Sequence, residues 1–159
     1  MVPDIVLRSL FIRDFNDGSI MNNYKFEEIQ VGLKESFTVT VTEEMMEQFL
    51  AITGDVNPLH TNKEFAGKKG YENRVVYGML TASFLSTLAG VYLPGERSLI
   101  HSVESKFVKT VFVGDVLTIT GEVTEVNELF HMFIMKTTIC NQKGEKVLRG
   151  KMQVGVLED

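Results

Sequence analysis

Between Arg74 and Glu96 the chain carries no charged residue. The stretch reads "VVYGMLTASFLSTLAGVYLPG", and its spacing predicts a helix over 78–93. Leu80, Phe84 and Leu88 fall on one line, with Leu85 and Tyr92 beside it. Pro94 and Gly95 then stop the helix. An uncharged run of this length raises the question of a membrane span. Thr81, Ser83, Ser86, Thr87 and Gly90 interrupt it, and no second such segment exists, so a span is not expected. A helix without a charged face is expected to be buried on all sides, which requires other elements to wrap around it.

The wrapper is legible downstream. "SLIHSVESKFV" has strand composition, and "DVLTITGEVTEV" alternates Leu117, Ile119 and Val123 with Thr118, Thr120 and Glu122. "NE" is read as a turn into the strand "LFHMFIMKTTIC", and "NQKGEK" as a turn into "VLRGKMQVGV". Upstream, "ESFTVTVT" alternates Phe37, Val39 and Val41 with threonines. Thr42 then caps a helix whose apolar face is Met45, Met46, Phe49, Leu50 and Ile52, ended by Gly54. Short connections favour antiparallel pairing. The expected fold is α+β: a curved antiparallel sheet of about five or six strands around one helix. Such thin layers leave edges and apolar faces open, so a homodimer or higher oligomer is expected.

Composition narrows the function. The chain has 159 residues, 44% hydrophobic and 23% charged, as for one globular domain. A net charge of −5 argues against a nucleic-acid partner. Cys140 is the single cysteine, so no disulfide forms within the chain, which suits a reduced, cytoplasmic setting. With His60, His101 and His131 as the three histidines, no zinc-ligand spacing is found, and no glycine-rich phosphate loop is present. The opening "MVPDIVLRSLFIRDFNDGSI" lacks a basic start and a cleavage site, and is not read as a signal peptide. Residues 1–21 are expected to be an extension, or upstream sequence read from an early start, and residues 22–159 the domain.

The chemistry concentrates in "ITGDVNPLHTNKEFA". Pro58 biases Asn57 away from helix, so "DVNPLH" is a turn, and Asp55 and His60 do not share one regular helix face. By spacing alone this is either an ordinary polar turn or an acid/base pair.

Three segments, "GDVNPLHTNKEFA", "GYENRVVYGMLTASFLSTLAG" and "KFVKTVFVGDVLTITGEV", taken in this order, resemble the MaoC-like (R)-specific enoyl-CoA hydratases. The resemblance runs from about Tyr24 to Val156. It implies the hotdog fold, usually as a dimer, and addition of water to trans-2-enoyl thioesters to give (R)-3-hydroxyacyl thioesters, or the reverse dehydration. Asp55 and His60 match the family's catalytic pair. Gly78 matches the glycine whose N–H holds the thioester oxygen. Asn57 matches the asparagine expected to support the turn, and Ser86 a serine near the catalytic carboxylate in some members. Tyr77 departs from the family, which often has histidine there. No metal or redox cofactor is implied, because CoA or acyl carrier protein arrives as part of the substrate.

Each residue also has a plain structural reading. Gly78 can serve tight packing at a helix start, and Ser86 can satisfy its hydroxyl within the helix. Tyr77 is read as a packing residue, and His101 and His131 as structural strand residues. The eight methionines are read first as core, and Lys68 and Lys69 as a solvated turn that could instead touch CoA phosphates. Two rival functions remain at this level. A hotdog thioesterase needs a similar acid and oxyanion donor, and a non-catalytic acyl-thioester-binding module needs only the fold.

Overall fold

Alternation in the threonine-rich segment produces β1, Lys34–Thr40, with Phe37 and Val39 buried and the threonines outward. The structure is a computed structural model and describes residues 21–159; the expected extension, its reading as no signal peptide and all but the last of its residues lie outside the described residues. Thr42 caps α1, Glu43–Thr53, by accepting a 3.2 Å hydrogen bond from the Met45 N–H. Two short helices follow, α2 at Pro58–Thr61 and α3 at Lys63–Lys68. The uncharged run forms α4, Gly78–Thr87, and continues as a π-helical turn over Leu88–Tyr92. Four strands complete the chain: β2 at Ser98–Phe107, β3 at Val116–Asn127, β4 at Met132–Cys140 and β5 at Lys146–Val156.

The five strands form one sheet in the order β1-β3-β4-β5-β2, with every neighbouring pair antiparallel. Leu117, Ile119 and Val123 of β3, Phe133, Met135 and Ile139 of β4, and Leu148, Met152 and Val154 of β5 point inward. Leu80, Phe84, Leu85, Leu88 and Ala89 of the long helix meet them in one core. Gly121 lets the helix come close. A Cβ there would lie 2.8 Å from Met135 Sδ and 3.0 Å from Leu88 Cδ2. The far end of the helix is tied down by Asn22, whose N–H donates to Val91 O at 2.8 Å and whose side chain donates to Tyr92 O at 2.7 Å. No helix among the described residues is long and apolar enough to cross a membrane.

Three sequence expectations are corrected. The long helix is not buried on all sides: Met79 is 65% exposed, and Ser83 and Ser86 are exposed beside it. These lie at i, i+4 and i+7, a single uncharged stripe that the curved sheet leaves open. Burial along α1 fades from Met45 and Met46 through Phe49 and Leu50 to Ile52, which is 82% exposed, because the last turn runs past the core. His131 is not on a strand. Asn127 pairs with Met132, so 128–131 form the turn, with His131 at φ 45° and Leu129 and Phe130 at its exposed tip. The apolar run "LFHMF" concealed that turn. His131 packs face to face on Phe26, with ring centroids 4.7 Å apart, and pairs with Glu158.

Candidate active site

The site is built where α1 ends. Gly54 adopts φ +69°, the left-handed conformation that closes a helix, and its N–H donates to Leu50 O. Asp55 follows on an exposed loop. Its N–H donates to Thr53 Oγ1 at 3.3 Å, and its Oδ1 accepts from the Asn57 N–H at 3.1 Å. That second bond is an Asx turn. One carboxylate oxygen is thereby engaged, and Oδ2 is left for chemistry.

Asn57, held extended before Pro58, caps α2 by accepting from the Leu59 N–H at 2.9 Å. Pro58 occupies the first helical position, where its missing N–H costs nothing. This four-residue helix presents His60. Its Nδ1 lies 2.7 Å from Val75 O. A carbonyl only accepts, so Nδ1 carries the proton in this bond and Nε2 faces away from it. The strap carrying Val75 is fixed too. Val75 N–H donates to Leu59 O, and Arg74 donates to His60 O at 3.3 Å while pairing with Glu43 of α1.

Tyr77 connects the two candidates. Its hydroxyl donates to the Asp55 carbonyl at 2.8 Å, and its ring packs on His60 with centroids 4.2 Å apart. Among the described residues its ring also contacts Phe49, at 4.9 Å. Burial first, and then the Asp55 charge, push the Tyr77 phenol above its ordinary pKa, against a smaller opposing effect of Arg74. Tyr77 is also the residue before Gly78, and no side chain caps the start of α4 there. The first-turn N–H groups therefore lack intrahelical acceptors and carry the positive end of the helix dipole.

His60 and Gly78 line one cavity of about 300 Å³, together with Thr81, Phe107, Lys109 and Val147. Gly78 is pressed from one side: a Cβ there would sit 3.1 Å from Phe107 Cε1. Thr81 is buried, and its hydroxyl finds no partner among the described residues. No group of three or more metal-ligating side chains occurs among the described residues.

The family is decided by comparison with known proteins. The sequence pattern described as MaoC like domain matches residues 21–143. The chain belongs to the MaoC-like family. It is 32% identical to an (R)-specific enoyl-CoA hydratase of Rhodospirillum rubrum over 82% of this chain and 90% of that protein. It is 34% identical to an (R)-specific enoyl-CoA hydratase of Aeromonas caviae, over 80% of this chain and 96% of that protein. Among solved structures, an R-hydratase of Pseudomonas aeruginosa in unliganded form superposes with a TM-score of 0.82 at 28% identity. That match covers 87% of this chain and 89% of the other. The MaoC-like chain therefore has the hotdog fold, a curved sheet wrapped on its central helix.

The structure holds Asp55 and Asn57 in one turn and puts His60 on the short helix α2 that Asn57 caps, where the sequence reading had a turn throughout, and His60 and Gly78 line one cavity. Asp55 does not line that cavity and reaches the group through Tyr77. Ser86 stands apart, on the open stripe of α4. Sequence reasoning marked Tyr77 as a departure from the family's usual histidine but read it as packing, and it passed over Thr81. The signal for Thr81 was its position about one helical turn beyond Gly78, inside an otherwise apolar run.

Proposed function

We propose that this MaoC-like protein is a hydro-lyase that adds water to trans-2-enoyl thioesters, giving (R)-3-hydroxyacyl thioesters, and catalyses the reverse dehydration. The observation that carries the reading is the turn holding the Asp55 carboxylate, joined through Tyr77 to His60 on a cavity shared with Gly78. The reaction needs a water deprotonated as it attacks Cβ, a proton delivered to Cα, and a stabilised thioester oxygen. Asp55 Oδ2 and His60 Nε2 both accept hydrogen bonds when His60 is neutral, so one water can donate a hydrogen to each while its lone pair faces Cβ. One hydrogen stays in the product hydroxyl and the other enters the acid/base pair, which supplies the proton for Cα. His60 exchanges that proton through Nε2, because Nδ1 is held by Val75. The Gly78 N–H stabilises the enolate oxygen, a contribution of roughly 3–4 kcal/mol for a donor of this kind. Asn57 shapes the turn.

In this proposal the acyl carrier, CoA or acyl carrier protein, is part of the substrate, and the residues required are those of the chain. Residues 22–159 form the catalytic domain, in a reduced, cytoplasmic setting and in fatty-acid metabolism. A homodimer fits the open surfaces. Edge strand β2 exposes Leu99, Ile100, Val103 and Phe107, and the Met79–Ser83–Ser86 stripe is uncharged. A second copy over this surface would cover Ser86.

The test is a pair of assays on one enoyl-CoA. Loss of enoyl-thioester absorbance with formation of the (R)-3-hydroxyacyl product is expected. Release of free thiol without hydration would support a thioesterase instead, and binding without turnover an acyl-binding module.

A further inference from the structure

We propose that Tyr77 is the positioning residue of the acid/base pair: its hydroxyl fixes the backbone that carries Asp55, and its ring fixes the plane of His60. This rests on the hydratase reading of the same site.

Asp55 lies on an exposed loop, and its bonds to Thr53 and Asn57 come from within two residues. Those bonds shape the loop but do not anchor it to the body of the protein. The Tyr77 hydroxyl reaches Asp55 O from 22 positions away. Tyr77 itself is well fixed. It is 2% exposed and wedged between Phe49 and His60. A buried phenol needs a partner, and this one uses the Asp55 carbonyl. Its neighbourhood favours the protonated form, so the donor is kept through the neutral range.

The same residue sets a third element. The peptide nitrogen that follows Tyr77 is that of Gly78, the oxyanion donor of the proposal. Base, acid and oxyanion donor are therefore all referenced to one immobile side chain and its backbone. Tyr77 is buried with its hydroxyl bound to the Asp55 carbonyl, so it acts through Asp55 and His60 and not on the substrate. A displacement of about 1 Å in such a group can cost up to ~10²-fold in rate.

The test is Tyr77→Phe, which keeps the ring and removes the hydroxyl. Hydration by wild type, Tyr77→Phe, Asp55→Asn and the double variant is followed at several enoyl-CoA concentrations, with melting curves for each. The expected result is a kcat lower by about 10- to 100-fold with KM within about twofold of wild type. In the Asp55→Asn background the same change should alter the residual rate by less than about twofold, since the group it positions is already disabled. An active wild type with unchanged kcat in Tyr77→Phe overturns the inference. So does an equal loss in both backgrounds, which would mark a general structural role. If Tyr77→Phe does not fold, Tyr77→Met takes its place, keeping apolar bulk without the hydroxyl, and the same split is expected. A wild type that hydrates no enoyl thioester overturns the hydratase reading itself, and this inference with it.

Discussion

In the proposed reaction Asp55 and His60 face opposite demands: both must meet one water, yet neither can sit deep in an apolar core without losing its charge chemistry. The turn meets them with local hydrogen bonds. Asn57 contributes twice, its N–H to the Asp55 carboxylate and its side chain to the start of α2. Asn57→Ala keeps the first contact and loses the second. It should lower stability by roughly 0.5–2 kcal/mol, as for other lost caps, and slow hydration less than Asp55→Asn does; urea unfolding and kcat, measured together, check both. The break after α1 was legible in the sequence because Gly54 ends a helix and Pro58 biases Asn57 away from one, whereas Asp55, Asn57 and His60 stood out as site candidates only through the family resemblance. Tyr77 was not legible as a site residue. An aromatic in an uncharged run looks like packing, and the partner that gives it another role is a backbone carbonyl of a distant loop.

The elements were legible where one period ran unbroken, as in β1, β3 and β5, and at helix ends with strong caps such as Thr42 and Gly54. They were misread where composition and geometry disagree. Leu129 and Phe130 have strand chemistry, but the pairing of Asn127 with Met132 makes them a turn. The entry segment depends on contacts invisible in a local reading. Tyr24 donates to Glu35 Oε1 at 2.6 Å, which joins that segment to β1. This hydrogen bond first, then burial and the carboxylate charges, raise the Tyr24 pKa to about 12. The neutral phenol is thus favoured in the folded state. Its contribution is complete below the unfolded value of about 10 and is lost as pH rises through about 12. Melting temperature should fall across that window, and Tyr24→Phe should flatten the fall. An identical alkaline profile in the variant would remove Tyr24 from the account.

For the whole molecule, the helix-in-sheet plan was legible because an uncharged helix needs a wrapper and the downstream strands supply one. How far the wrapper reaches was not. Five strands leave the Met79–Ser83–Ser86 stripe and the β2 edge open. If a second copy covers them, Val103→Asp, which puts a charge on that edge, should give monomers in sedimentation and reduced hydration; an unchanged dimer would move the interface elsewhere. The proposed mechanism depends most on Asp55. Asp55→Asn preserves shape and keeps an oxygen for the Asn57 N–H, but removes the charge and the basic oxygen. The most direct measurement is the rate of enoyl-CoA hydration by this variant beside wild type, with circular dichroism confirming the fold. The expected result is an unchanged spectrum and a kcat lower by ~10²–10⁴-fold. A folded variant with near-normal turnover would contradict the assignment.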